Sequence, residues 1–191
     1  MTKRNQHLSL AHALWKSHLS KNDLVIDATA GNGHDSLFLS TLGVHLYVMD
    51  IQEKALQTTK ERLAHYPHTH YFLQSHATFP SLPSPPKLII YNLGYLPGGD
   101  KTVTTQTSST LQSLEAATSL LLPGALITVM CYSGHAEGAK EEKELISFYS
   151  ALKGWEVTHH RWLKHSHAPS LIKLKKNYDL PDIKEIDYTP I

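Results

Sequence analysis

A single cysteine among 191 residues excludes an intrachain disulfide and the paired-cysteine spacings of zinc sites. Cys131 lies in the apolar run "ALITVMCY" and reads as a small buried hydrophobe rather than a nucleophile. Long apolar runs are missing too: none approaches the ~20 residues that cross a bilayer. Histidine and lysine interrupt "MTKRNQHLSLAHALWKSHL" too often for a signal peptide, so a cytoplasmic protein is expected. Charge of one sign is also absent. Eighteen Lys and Arg against 17 Asp and Glu leave a net +1, which excludes a whole-surface polycation but leaves room for a local basic patch. No ligand spacing points to a metal. Histidine alone is in excess, and its 14 copies add positive charge at mildly acid pH.

With no internal repeat or long linker, the chain reads as one domain over residues 1–191, with an N-terminal helix within 1–20 and a tail over 177–191. Leu8, Ala11, Trp15 and Leu19 share one face of that helix. Strands and helices then alternate. "LVIDA", "VHLYVMD", "HYFLQSH" (ending near His76), "KLIIYN" and "GALITVMCY" read as strands. Between them lie helices carrying "SLFLSTL", Ala55-Leu56-Thr59-Leu63, and "STLQSLEAATSLL". A helix over "EGAKEEKELISFYSAL" turns Leu145, Phe148, Tyr149 and Leu152 inward, and "WEVTHHRWL" and "SLIKLKK" form a closing pair of strands. Near-continuous apolar strands indicate a parallel sheet covered on both faces. The expected fold is a doubly wound, Rossmann-like α/β sheet of seven strands, mostly parallel with a terminal antiparallel strand.

Ligands of such sheets bind beyond the carboxyl ends of the strands. The first of these ends is "DATAGNGHD", residues 27–35, with candidates Asp27, Thr29, Gly31, Asn32, Gly33 and Asp35. A dinucleotide would want a third glycine where Ser36 stands, and Asp27 would face its pyrophosphate. A cation fits better. S-adenosylmethionine carries an ammonium and a sulfonium, and its ribose hydroxyls want an acid such as Asp50 at the end of the second strand. Gln52 and His76 are candidates to flank the adenine, with a surface position as the alternative, and Ser75 is a further cofactor-binding candidate. Individually, Asp27 could be a helix cap and Asp50 an ordinary turn residue; their joint register with Gly31 and Gly33 favours the cofactor. A dinucleotide-dependent oxidoreductase is the rival of a different class.

"DATAGNG" is similar to the first motif of class I S-adenosylmethionine-dependent methyltransferases, D-x-G-x-G-x-G, with Thr29 at the first glycine. "NLGYLPGGDK", residues 92–101, takes the place of the N-P-P-Y motif of methyltransferases that act on amino groups. Asn92 and Tyr95 match it; Leu93 and Gly94 replace the prolines. Methyl transfer to an amine mainly requires aligning a lone pair. An Asn oxygen and a backbone carbonyl can accept the amine's hydrogens, and Tyr95 can stack on a base. Leu93, Gly94, Gly98, Lys101 and Tyr132 complete the candidate acceptor site. In "CYSGHAEGAKEE", His135 is a candidate base and Glu137 a second polar group or a helix cap.

Taken together, "DATAGNGHDS", "MDIQ", "SH", "NLGYLPGGDK" and "YSGHAEG" resemble the MnmM family, long described as rRNA methylases, over about residues 5–176. The resemblance implies N-methylation of 5-aminomethyl-(2-thio)uridine at the tRNA wobble position, with rRNA as the alternative substrate. An anticodon arm needs cations near the pocket. The candidates are Lys3, Arg4, Lys101, Arg161, Lys164, Lys173, Lys175 and Lys176; the competing reading of the last three is a solvated edge strand. A homodimer could help hold the RNA, although no motif calls for one.

Overall fold

The computed structural model describes residues 6–96, 98, 104–134, 136–161 and 168–178. Their order is α1 (Gln6–His18), β1 (Leu24–Asp27), α2 (His34–Thr41), β2 (His45–Asp50), α3 (Glu53–Arg62) and β3 (Thr69–Leu73). Then follow β4 (Leu88–Asn92), α4 (Thr107–Leu120), β5 (Leu126–Cys131), α5 (Ala136–Ser150), β6 (Trp155–His160) and β7 (Ser170–Lys176). The strands form one sheet in the order β3-β2-β1-β4-β5-β7-β6. The first five are mutually parallel, and β7 runs antiparallel to both of its neighbours.

Side chains alternate across a strand, so an apolar run supplies both faces of a sheet. Ile26, Met49, Ile89 and Ile127 pack with Leu114 of α4 and with Leu145 and Tyr149 of α5. Val25, Val48, Ile90 and Met130 point the other way, onto Ala11 and Trp15 of α1, Leu39 of α2 and Leu56 of α3. Cys131 is buried, and burial pushes its thiol well above the ordinary value, as suits a hydrophobe. No helix among the described residues is long and apolar enough to cross a membrane.

Two expectations need correction. The third strand stops at Leu73, short of His76, because the Gln74 N–H makes the last bond to Asp50 O and the Ser75 hydroxyl then turns the chain by accepting the Ala77 N–H. The lysine-rich strand is also not an edge: β7 lies between β5 and β6. Lys173 pairs with Glu156 at 2.9 Å, and Lys176 donates to Thr118 O and Leu121 O at the end of α4, where carbonyls want a cation. Register with β5 puts Lys175 and Lys176 beside Leu126, at the amino-terminal edge of the sheet and away from the strand ends where ligands bind. Arg161, just past His160, falls at the opposite, carboxyl edge.

Candidate active site

Strand order reverses between β1 and β4, so the turn after β1 and the loop after β4 diverge from adjacent strands. Thr29 ties them together: its hydroxyl accepts the Asn92 N–H at 2.6 Å. The residue that replaces a motif glycine therefore has its own task, and Thr29 is not in a left-handed conformation. Gly33 must be glycine on two counts. Its φ is +72°, and a Cβ would lie 2.7 Å from Thr59 Oγ1 on α3.

Three carboxylates converge on this turn. Asp27 has no exposed surface; Oδ2 accepts from the Ser36 hydroxyl at 2.6 Å and Oδ1 from the Thr29 N–H at 3.2 Å. Burial pushes Asp27 up to about 7, the Ser36 hydrogen bond opposes this, and the charges of Asp35 and Asp50 add to the rise. Asp50 accepts the Gly31 N–H through Oδ2 at 2.9 Å and the Gln52 N–H through Oδ1 at 2.8 Å. A carboxylate offers about four lone-pair positions, so two remain for further donors. Asp35 accepts from Asn92 Nδ2 at 2.9 Å on Oδ2 and pairs with His12 Nε2 at 2.6 Å through Oδ1. Among the described residues no lysine or arginine pairs with any of the three. Carboxylates placed together in this way favour a cation over a pyrophosphate.

The other cofactor candidates differ in exposure. Asn32 is half-buried, and its carbonyl accepts Arg62 Nε at 2.8 Å. Ser75 is exposed and forms the local turn described above. His76 is buried edge-on to Tyr91, with ring centroids 6.0 Å apart, and its Nε2 has no hydrogen-bond partner. Burial lowers His76 to about 4, leaving a neutral ring with one unspent polar atom for a ligand.

The acceptor candidates form a second cluster. The Leu93 N–H continues the ladder to Met130 O. Gly94, at φ +131°, donates its N–H to Thr105 Oγ1, and its carbonyl accepts the Thr105 N–H, both at 2.9 Å. Tyr95 bridges to Thr104 and is 41% exposed, a surface on which a planar group can stack. The Thr105 hydroxyl reaches Glu141 of α5, a buried acid that also accepts from Thr110 at 3.0 Å. Hydrogen bonds to Thr105 thus fix the backbone at Gly94, where an N-P-P-Y loop would have proline. Tyr132 lies just beyond β5 with the His7 ring edge-on at 6.2 Å; burial pushes Tyr132 up to about 12. Gly98 is exposed and left-handed. Lys101 and His135 lie outside the described residues, as do Lys3, Arg4, Lys164 and the side chain of Glu137.

Sequence reasoning missed His12, Thr105 and Glu141. Nothing local marks them: His12 was one histidine among many, and Glu141 stood in the charged run "KEEKE".

The comparisons with known proteins identify the family and the fold. The model of the family described as "Putative rRNA methylase" matches residues 46–176. The tRNA (mnm(5)s(2)U34)-methyltransferase of Arabidopsis thaliana chloroplasts is 32% identical over 192 residues, covering 91% of this chain and 70% of that protein. Among solved structures, a "putative rRNA-methylase" from Clostridium thermocellum superimposes with a TM-score of 0.85 at 29% identity, covering 92% of this chain and 100% of that one. A Streptococcus mutans methyltransferase in complex with SAH follows at TM-score 0.81 and 31% identity, covering 92% and 99%. The fold is that of the class I methyltransferases, and the methyltransferase relatives favour that activity over an oxidoreductase. With the greater part of its length matched both by the family model and by a relative at 32% identity, this chain belongs to the rRNA methylase family.

Proposed function

We propose that this methyltransferase uses S-adenosylmethionine to methylate the amine of 5-aminomethyl-(2-thio)uridine at the wobble position of tRNA. The observation that carries the reading is the orientation of Asn92. Its Nδ2 is committed to Asp35, a carboxylate that can only accept, so the amide turns its Oδ1 the other way as an acceptor. An oxygen placed there holds an amine hydrogen and aims the nitrogen lone pair, the alignment on which in-line methyl transfer depends. The name of the Arabidopsis relative supports the same substrate.

The three-carboxylate turn and the unspent Nε2 of His76 fit this cofactor. Asp50, held by two backbone N–H groups, keeps lone pairs for the ribose hydroxyls. Asp27, fully buried, acts on a bound cation through space rather than by contact. When bound, S-adenosylmethionine supplies a methyl group already activated by its sulfonium. The chain's part is to present a neutral amine. Asn92 Oδ1 and the Leu93 carbonyl accept the amine's hydrogens, Tyr95 and Tyr132 offer exposed ring surface to the base, and Arg161 stands at the carboxyl edge for a phosphate.

Nucleoside mass spectrometry on a deletion strain tests the substrate. Accumulation of 5-aminomethyl-2-thiouridine in tRNA is expected. If tRNA is unchanged and a methyl group disappears from rRNA instead, the ribosomal alternative takes its place.

A further inference from the structure

The contact that no motif explains is His12 on Asp35. His12 belongs to α1, outside every motif, yet its Nε2 lies 2.6 Å from Asp35 Oδ1, the distance of a charge-assisted hydrogen bond. The opposite oxygen of Asp35 holds Asn92 Nδ2. With a proton on His12 Nε2, Asp35 accepts on both sides, as an ionised carboxylate does. Were Asp35 to turn or take up a proton, the Asn92 amide could flip and present Nδ2 outward, pointing a donor at an amine that needs an acceptor.

His12 is itself held tightly. Its ring lies flat on Phe38, with centroids 3.9 Å apart and planes 7° from parallel, and is tilted against Trp15 at 5.2 Å. Trp15 is buried and donates Nε1 to Thr128 Oγ1 of β5 at 3.0 Å. A chain of contacts thus runs from β5 through Trp15 and His12 to Asp35 and Asn92. Resting on the amine-methylation reading above, we infer that His12 is a positioning residue for methyl transfer: through Asp35 it locks the Asn92 amide with Nδ2 inward and Oδ1 presented to the acceptor amine. If His12 served only as packing between Phe38 and Trp15, any apolar group of similar size would suffice and the hydrogen bond to Asp35 would be idle.

The test is single-turnover methyl transfer by the full chain to tRNA from a strain lacking the enzyme. His12→Leu keeps the apolar packing and removes the donor; His12→Gln keeps a donor. In His12→Leu the rate constant at saturation is expected to fall about tenfold to a hundredfold, the cost of a slightly misplaced reacting group. The KM for tRNA, S-adenosylhomocysteine affinity by calorimetry and the melting temperature should stay close to wild type, and His12→Gln should recover part of the rate. Asp35→Asn and the Asp35→Asn/His12→Leu double variant should be equally slow, because the two residues act in series. Long-range 1H–15N spectra of the resting protein should show a proton on His12 Nε2.

An unchanged rate in His12→Leu overturns the inference, as do multiplicative losses in the double variant or an Nε2 without a proton. A loss shared equally by rate and S-adenosylhomocysteine affinity makes His12 structural and also overturns it. These outcomes require an active wild type. If the wild-type chain transfers no methyl group to such tRNA, the amine reading itself falls and takes this inference with it.

Discussion

The turn after β1 and the loop after β4 meet at Thr29 and Asn92, yet they are held by different kinds of contact. The β1 turn combines near partners, Asp27 with Thr29 and Ser36, with bonds from β2 and α3: Gly31 donates to Asp50, and the Thr59 hydroxyl and Arg62 donate to the carbonyls of Gly31 and Asn32. The β4 loop depends on distant partners. Asn92 is fixed by Thr29 and Asp35 from the first motif, Gly94 by Thr105, and Thr105 by Glu141 of α5. The β1 turn therefore rests on β2 and α3, elements on its own side of the point where strand order reverses. The β4 loop registers the packing of α1, α2, α4 and α5 together.

The comparison predicts that the halves fail separately. Asn92→Ala should lower methyl-transfer turnover on the order of a hundredfold or more while S-adenosylhomocysteine affinity, read by calorimetry, stays within about twofold. Unchanged turnover would remove Asn92 from the mechanism. Thr105→Val, nearly isosteric, takes the partner from the Gly94 N–H and one of the donors from Glu141. The expected cost is about 1–3 kcal/mol of stability by denaturant titration, with an increase of about tenfold in the KM for tRNA. Cofactor affinity falling as far as RNA affinity would mean that the two halves are one unit.

Gly33→Ala probes the other half. The left-handed backbone costs about 1–2 kcal/mol for an L side chain, and the new Cβ would also press on Thr59. S-adenosylhomocysteine should bind severalfold more weakly, with less change in the KM for tRNA. Adding Thr59→Ala should restore only part of the affinity, since it removes the clash with the side chain and leaves the backbone strain. Full restoration would show that helix packing alone, and not the turn, sets affinity.

The same contrast explains what could be read before the structure was known. The β1 turn was legible in part because Asp27, Thr29 and Ser36 make their bonds within "DATAGNGHDS", although its bonds to Asp50, Thr59 and Arg62 come from outside it. The strands were legible because runs such as "LIIYN" and "LITVMC" have to be buried on both faces. His12, 23 residues from Asp35, and Glu141, 36 residues from Thr105, carried no local mark. The edge-strand reading of β7 fails for a related reason: "SLIKLKK" alternates like a strand with one wet side, and only the register with β5 and β6 shows that it is internal. Contacts across the sheet are specified by shape complementarity between elements, and one strand's composition does not reveal its neighbours.

The smallest predicted effect concerns Asp27 and the way the β1 turn selects charge. Burial holds a proton on Asp27 in the folded protein from about pH 4 up to about 7, so this group's contribution to stability is present in acid and is lost as pH rises through 7. A cation bound against the turn favours the ionised form and lowers this pKa, so binding near pH 7 must expel part of a proton. Affinity should therefore climb a few-fold from pH 6 to 7 and level off above, a modest change because the coupling acts through space. Calorimetry in two buffers of different ionisation enthalpy measures the proton directly, and S-adenosylmethionine, with its sulfonium, should release more than S-adenosylhomocysteine. Ser36→Ala removes the hydrogen bond that favours ionised Asp27, so the midpoint should move upward. If no proton is exchanged between pH 6 and 8 with either ligand, the turn discriminates by shape alone, and the carboxylates shared by the two halves do not sense the cofactor's charge.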